Sequence, residues 1–438
     1  MSETMAICLA SLAMALAMMA VRIPIGVALG LTGFLGLAWL RGFDVAFAAL
    51  GMIPFHSAAK WSLTAIPMFI LMGAIANRAG LSEALFKAAR LWLSSLPGGL
   101  ALAANFASAG FGAASGSTMA SAAAMSRIAI PEMLKHGYDK GLASGSVAAA
   151  GLLSAFIPPS IIFVIYGIFA EVSISKLLIA GIIPGILTAI AYSALIVIRC
   201  KWKPALAPEL SEESRQNLSR DRWKALTPVW PLLVIITGII GGVYTGVFTP
   251  TEAGAAGVVL TMVIAAIQRQ LSFETIRASV NEMVSTTGQL LFPAIGAIIY
   301  TRFLGLAGLS GEMAQLVDGL NADPLLLVIA VSLIYLILGM FLDPLGILLI
   351  TLPVVQPVFH AAGADPIWLG VIIVKFIEIG LLTPPVGMNV YVVKSQVGDA
   401  IPLETIFRGV SWFLIAEFFV MALLIAFPQI SLFLPGMM

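Results

Sequence analysis

The chain consists largely of apolar runs long enough to cross a bilayer, beginning with MAICLASLAMALAMMAVRIP at residues 5–24. Hydrocarbon offers no partners for backbone N–H and C=O groups, so only helices and closed barrels can span it. Runs of this length, in a chain with only 10% charged residues, predict an all-α polytopic membrane protein. No basic region or convincing cleavage site accompanies the first run, which we interpret as a first span, with a retained signal anchor as the alternative.

Two proline doublets interrupt the apolar pattern in matched surroundings. Pro158–Pro159 lies in AFIPPSIIF, and Pro384–Pro385 lies in LLTPPVGMN at a spacing of 226 residues. Proline donates no backbone hydrogen bond and its ring clashes with the preceding turn, so each doublet predicts a broken helix. The same spacing pairs Pro24 with Pro250, Pro67 with Pro293, Pro131 with Pro357, Gly137 with Gly363, Asp139 with Asp365 and Phe47 with Phe273. These coincidences predict an internal duplication.

A polar stretch at residues 201–225 divides the chain into halves at 1–200 and 226–438. Lys and Arg are concentrated in this stretch, which predicts a cytoplasmic linker. An odd number of crossings per half would place the second half in the opposite orientation, giving an inverted-topology repeat. The crossings predicted for the first half are residues 4–21, 24–41, 62–78, 139–170 and 176–199.

Each half has two kinds of predicted break. Residues 97–130 are apolar on both sides of the polar centre SGST, which is typical of a re-entrant helical hairpin, and residues 327–358 surround GMFLDPLG in the second half. The broken helices are predicted at about 139–170 and 366–396. Residues 82–94 are amphipathic and are predicted to form a helix lying along the membrane interface.

Breaks of this kind survive inside a membrane only where protein or a wet cavity surrounds them, so they point to a binding site. Carbonyl groups at half-helix C-termini suit Na⁺, whereas N–H groups at N-termini suit a carboxylate. Gly116 and Gly387 allow backbone to approach a ligand closely. Tight helix packing is the alternative interpretation of the Gly/Ala/Ser-rich stretch around Gly116. Side-chain oxygens in these breaks belong to Ser115, Ser117, Thr118, Ser160, Thr383 and Asn389.

Each ionisable residue within the apolar runs has a structural interpretation to set beside a role in ligand binding. Asp343 either takes part in ligand binding, directly or through another residue, or caps the helix that begins at the following proline. Lys375 and Glu378 are three residues apart on one helix face, which predicts a local pair. Glu252 is predicted to offset the dipole in the first turn of a helix.

Five blocks of this sequence resemble the signature blocks of the large membrane subunit of TRAP transporters, the tripartite ATP-independent periplasmic carriers. They occur in the same order and cover nearly the whole chain. The blocks are AIPMFILMGAIANRAGLS, the segment 96–167 that begins LPGGLALAANFASAGFG, GVFTPTEAGAAG, LGMFLDPLGILLITLPVVQPV and EIGLLTPPVGMNVYV.

The resemblance implies a secondary carrier in the bacterial inner membrane that takes up a small carboxylate, driven by a Na⁺ gradient. It implies a scaffold and a transport domain that moves as an elevator, with substrate delivered by a periplasmic binding protein. A small membrane subunit would accompany the permease as a separate chain, since the apolar blocks here begin at residue 5. No cofactor besides the coupling ion and no transition metal is expected, and the net charge of +1 gives no indication of nucleic-acid binding.

The resemblance also implies the positions of the binding sites. One Na⁺ site would involve Gly339, Gly380, Thr383 and Val386, and by the internal repeat the other would involve Ser115, Ser117, Ser154, Ile157 and Ser160. The substrate would lie between the hairpin tips, against Gly116, Thr118, Pro159, Asp343, Pro385, Gly387 and Asn389.

A stand-alone ion-coupled carboxylate carrier of the same inverted-repeat type is the principal alternative. An intramembrane enzyme is disfavoured because the sequence contains no histidine cluster, no paired intramembrane acids and no serine–histidine constellation. A channel is disfavoured because nothing predicts a ring of charge lining a pore.

Overall fold

The computed structural model describes residues 3–208, 222–223, 226–320 and 324–438, so most of the predicted linker, residues 201–225, lies outside the described residues. Every regular element in the described ranges is a helix. Seven helices there are long and apolar enough to cross a membrane, or eight if the pair Phe43–Ala58 and Trp61–Arg78, bent by 52°, counts as one span. The predicted all-α polytopic fold is confirmed.

The first half contains eleven described helices. They are α1 (Glu3–Ala20), α2 (Ile25–Arg41), α3 (Phe43–Ala58), α4 (Ala65–Arg78), α5 (Leu81–Leu93), α6 (Gly99–Ser115), α7 (Thr118–Lys135), α8 (Lys140–Gly151), α9 (Ile161–Phe169), α10 (Ile174–Ala180) and α11 (Ile182–Trp202).

The second half contains ten α-helices in its described residues. They are α12 (Trp230–Tyr244), α13 (Pro250–Ile267), α14 (Phe273–Ala307), α15 (Leu309–Leu320), α16 (Pro324–Gly339), α17 (Pro344–Ala361), α18 (Pro366–Leu382), α19 (Met388–Val397), α20 (Leu403–Ala426) and α21 (Gln429–Leu432).

Residues paired by the sequence spacing have the same local structure in both halves. Asp139 and Asp365 each precede a helix and accept hydrogen bonds from backbone N–H groups in its first turn. Gly137 and Gly363 have φ angles of 74° and 70°, which place both in the left-handed region. The peptide bond within each proline doublet is cis. The limits of the two repeats, 1–200 and 226–438, stay a prediction.

Both predicted hairpins and both broken helices are present. Helices α6 and α7 form the first hairpin, and α16 and α17 form the second. Helix α7 continues through Pro131 to Lys135, a few residues beyond the limit of about 130 predicted for the first hairpin. Proline removes one hydrogen bond from a helix without always ending it, since neighbouring helices in a membrane protein can satisfy the released carbonyl.

The halves differ before their hairpins. Helix α3 was not predicted, because Asp44 and Pro54 leave its 16 residues short of the usual length of a span, about 20 residues. The first half bends by 52° between α3 and the segment containing α4, whereas the corresponding region of the second half is the continuous 35-residue helix α14. The duplicated sequence has therefore produced a bent pair in one half and one long helix in the other.

The predicted amphipathic helix is α5, which packs against the first hairpin. Leu81, Phe86 and Ala88 are buried, and Lys87 is exposed. Arg90 forms an ion pair with Glu132 on α7. The polar face of α5 is thus partly directed at the hairpin base rather than entirely at solvent.

Candidate functional site

The tip of the first hairpin lies against the break of the first broken helix. Gly116 closes the turn between α6 and α7 with a φ of 61°. The backbone N–H of Ile161 donates a hydrogen bond of 3.2 Å to the carbonyl oxygen of Gly116. A Cβ atom at Gly116 would lie 2.6 Å from the carbonyl oxygen of Pro159. Only glycine permits both this backbone conformation and this approach.

A second contact holds the break to α6. Ser154 lies in a short 3₁₀ segment, Leu152–Ala155, directly after α8. A Cβ atom at Gly112 would lie 2.5 Å from the Cα atom of Ser154. The end of α6 and the break are therefore packed backbone to backbone, which brings Ser115 and Ser154, both predicted Na⁺ ligands, to neighbouring elements.

Two further predicted ligands act as helix caps in this structure. The Oγ atom of Ser117 accepts a hydrogen bond of 3.4 Å from Ala120 N, and that of Ser160 accepts one of 3.4 Å from Phe163 N. A hydroxyl oxygen has two lone pairs, so each of these serines retains acceptor capacity. Ile157, the remaining residue of this set, is half-buried.

Three buried side-chain oxygens near these contacts have no hydrogen-bond partner among the described residues. They are Ser115 Oγ, Ser154 Oγ and Asn389 Oδ1, in residues that are 5%, 0% and 0% exposed. A buried polar atom without a partner is costly, so these three oxygens are candidate ligands for an ion, a substrate or water. A set of neutral oxygens is the donor chemistry that a hard cation such as Na⁺ prefers.

The second broken helix reaches the first half through Asn389. Its Nδ2 atom donates a hydrogen bond of 2.7 Å to the carbonyl oxygen of Ala148 on α8. A Cβ atom at Gly151 would lie 2.8 Å from that same Nδ2 atom and 3.2 Å from the carbonyl oxygen of Thr118. Gly387, with a φ of 57°, begins the helix that carries Asn389. The end of α8, the start of α19 and the first hairpin tip therefore meet around Asn389.

Thr118 joins the first tip to the second half. Its hydroxyl lies 3.0 and 2.9 Å from the two carboxylate oxygens of Glu378 on α18. Both residues are buried. The sequence did not identify Glu378 as a site residue. An acid two residues before Gly380 is the available signal, but its spacing from Lys375 predicts a local pair instead.

The predicted pair between Lys375 and Glu378 is wrong. Lys375 Nζ lies 2.7 Å from the carboxylate of Glu417 on α20, and it donates a hydrogen bond of 2.8 Å to Thr188 on α11. Tyr192 on α11 donates a hydrogen bond to the same glutamate. Each charged group instead meets a partner on another helix, Lys375 on α20 and Glu378 on α7.

The second hairpin tip contacts its own break through two glycines. A Cβ atom at Gly339 would lie 2.8 Å from the Cα atom of Gly380, and one at Gly380 would lie 2.6 Å from that of Gly339. Thr383 donates a hydrogen bond of 2.8 Å from its hydroxyl to Ile379 O. Val386 is half-buried and Pro385 is exposed, whereas the first doublet, including Pro159, is buried.

Asp343 caps the helix that follows the second tip. Its Oδ2 atom accepts hydrogen bonds of 3.1 and 3.2 Å from the N–H groups of Leu345 and Gly346. The capping alternative is therefore what this structure shows, and a contact of Asp343 with substrate stays a prediction. Glu252 likewise occupies a capping box with Thr249 at the start of α13.

The sequence matches the family described as "Tripartite ATP-independent periplasmic transporter, DctM component" over residues 12–430. The C4-dicarboxylate TRAP transporter large permease protein DctM of Pseudomonas aeruginosa is 36% identical over 93% of each chain. The sialic acid TRAP transporter large permease protein SiaM of Vibrio cholerae is 33% identical over 94% of each chain.

Solved structures show the same fold at lower identity. MtrF of Neisseria gonorrhoeae, described as illuminating a class of antimetabolite efflux pumps, has a TM-score of 0.59 and 16% identity, covering 88% of this chain and 85% of its own. That likeness concerns the fold alone. On the family match and the two relatives, the chain belongs to the DctM component family of tripartite ATP-independent periplasmic transporters.

Proposed function

We propose that this chain carries a small carboxylate across the inner membrane together with Na⁺, by an elevator movement. Members of its family are multi-pass inner-membrane transporter subunits, not enzymes, and belong to systems with a small membrane subunit and a periplasmic binding protein. Sodium coupling, the substrate class and the elevator movement are the parts proposed here.

The observation that carries the proposal is the set of buried oxygens without partners at the first tip. Ser115, Ser154 and Asn389 each keep one such oxygen inside the protein. Together with backbone carbonyls released at the breaks, the Ser115 and Ser154 oxygens would bind Na⁺ as a co-transported ion without any formally charged ligand. The full sets proposed are Ser115, Ser117, Ser154, Ile157 and Ser160 for one ion, and Gly339, Gly380, Thr383 and Val386 for the other.

The carboxylate is proposed to lie between the two tips, where three half-helices begin. The N-termini of α7, α9 and α19 present N–H groups and partial positive charge, which stabilise an anion. C4-dicarboxylates and sialic acid, after which the two relatives are named, are carboxylates. The residues proposed to face the substrate are Gly116, Thr118, Pro159, Asp343, Pro385, Gly387 and Asn389.

Contacts between the halves support a transport domain that moves as one body. The hydrogen bonds from Thr118 to Glu378 and from Asn389 to Ala148 join hairpins and broken helices of different halves. A body held together in this way could carry ion and substrate past the remaining helices without exposing the buried oxygens to lipid.

The test is uptake by proteoliposomes that contain this chain, its small subunit and its binding protein. A Na⁺ gradient should drive uptake of the carboxylate bound by that binding protein, and an equal K⁺ gradient should not. Ser154→Ala should raise the Na⁺ concentration for half-maximal uptake, whereas Ser411→Ala, at an exposed serine on α20, should leave it unchanged. Equal uptake in K⁺ would refute sodium coupling, and equal uptake of free substrate without the binding protein would favour the stand-alone carrier.

A further inference from the structure

A cavity of about 460 Å³ lies away from the hairpin tips, at the end of the molecule where the predicted linker begins. Its walls come from the start of α8, the end of α11 and the first turns of α20. Helices α11 and α20 belong to the candidate membrane spans Ile174–Trp202 and Leu403–Ala426. The ends of two spans place this cavity at the level of the lipid headgroups.

Positively charged side chains dominate the cavity. Arg199, Lys203 and Arg408 line it, and Asp139 is the acidic residue among its lining residues. The carboxylate of Asp139 is already occupied in capping α8, where it accepts a hydrogen bond of 2.9 Å from Leu142 N. The lining therefore carries an excess of positive charge that attracts an anion.

Arg199 has an unfilled donor inside this cavity. Its guanidinium carbon lies 4.6 Å from the centroid of the Trp412 ring, so the group is held against the indole face. The Nη1 atom is buried and has no hydrogen-bond partner among the described residues. A buried guanidinium nitrogen without an acceptor is costly, and the planar guanidinium matches the oxygens of a phosphate in geometry and charge.

We propose that this cavity binds the phosphate group of an anionic phospholipid from the leaflet on the linker side. A phosphate oxygen would accept the hydrogen bond that Arg199 leaves unmade, with Lys203 and Arg408 supplying the remaining charge. Trp202, which is 83% exposed, and Trp412 flank the cavity as indoles do at the headgroup level of a bilayer. The excess positive charge favours an anionic lipid over a zwitterionic one.

The test is native mass spectrometry of the full chain with its small subunit, titrated with phosphatidylglycerol or phosphatidylcholine. The wild type should retain one phosphatidylglycerol more tightly than phosphatidylcholine. Each of Arg199→Gln and Arg408→Gln should weaken that binding about fivefold, because a basic residue near a lipid surface contributes about that factor. The matched control is Lys201→Gln, since Lys201 is exposed on the last turn of α11 outside the cavity lining and should show unchanged binding.

Arg408 and Lys203 are exposed, so their variants test the site even if Arg199→Gln folds poorly. Equal retention of the two lipids, or an equal loss in Lys201→Gln and Arg408→Gln, would overturn the proposal. Displacement of the lipid by inorganic phosphate would instead indicate a site for soluble anions.

Discussion

Replacing Gly116 by alanine should stop transport, because it separates the first hairpin tip from the first break. The new Cβ atom would lie 2.6 Å from the carbonyl oxygen of Pro159, and the backbone there has a φ of 61°. The left-handed conformation alone costs alanine about 1–2 kcal/mol. The clash adds about 1–3 kcal/mol, the usual cost of overpacking, since the atom at 2.6 Å is a backbone oxygen and not the end of a flexible side chain.

Gly363→Ala is the matched control for this variant. Gly363 has a φ of 70°, and no atom lies within 4 Å of the position that its Cβ would take. The Gly363→Ala variant should therefore carry the cost of the left-handed backbone conformation without a steric clash. Both proteins would be compared by thermal unfolding in detergent and by Na⁺-driven uptake in proteoliposomes. We expect Gly363→Ala to transport normally with slightly lowered stability, and Gly116→Ala to be less stable and inactive. Equal stability and equal uptake in the two variants would refute the reasoning that the tip and the break must touch.

Three further predictions follow from the buried polar contacts. Glu417→Gln should lower the free energy of unfolding by about 3–5 kcal/mol, because it leaves the charge of Lys375 buried without its partner carboxylate. The double variant Lys375→Met/Glu417→Leu should recover most of that loss, as measured by thermal unfolding. Thr118→Val should cost about 1.5–3 kcal/mol by removing the donor to the Glu378 carboxylate, whereas Thr118→Ser, which keeps the hydroxyl, should unfold at nearly the wild-type temperature. Thr383→Ala should raise the Na⁺ concentration for half-maximal uptake about fivefold, the effect of losing about 1 kcal/mol, and an unchanged Na⁺ titration would remove Thr383 from the proposed site.

The helical elements and their breaks could be predicted from the sequence because their causes are local. Proline doublets, glycines at positive φ and acidic caps act through the residues beside them, and the spacing between the halves pairs the two doublets, Gly137 with Gly363, and Asp139 with Asp365. Asp139 and Asp365 cap their helices in the same way in both halves. Helix α3 was missed because an internal proline and a short apolar run gave it no signal of a span.

The partners of the buried charged residues could not be predicted in the same way. Lys375 and Glu378 are neighbours in sequence, yet the first pairs with Glu417 and the second accepts hydrogen bonds from Thr118. Helical spacing gives the residues that share a face, but it does not give the helix that covers each part of that face. Because every residue of α18 from Trp368 to Leu382 is buried, that choice depends on how the other helices pack.

The sequence by itself determined the membrane class, the duplicated order of helices and the positions of both hairpins and both breaks, because each follows from apolar length, proline and glycine acting over a few residues. Only the tertiary structure decided that Thr118 of one half meets Glu378 of the other. It also decided that Ser115, Ser154 and Asn389 keep buried oxygens without partners among the described residues. Whether a polar atom is satisfied depends on distances of about 3 Å between segments far apart in sequence, and those distances are fixed by packing.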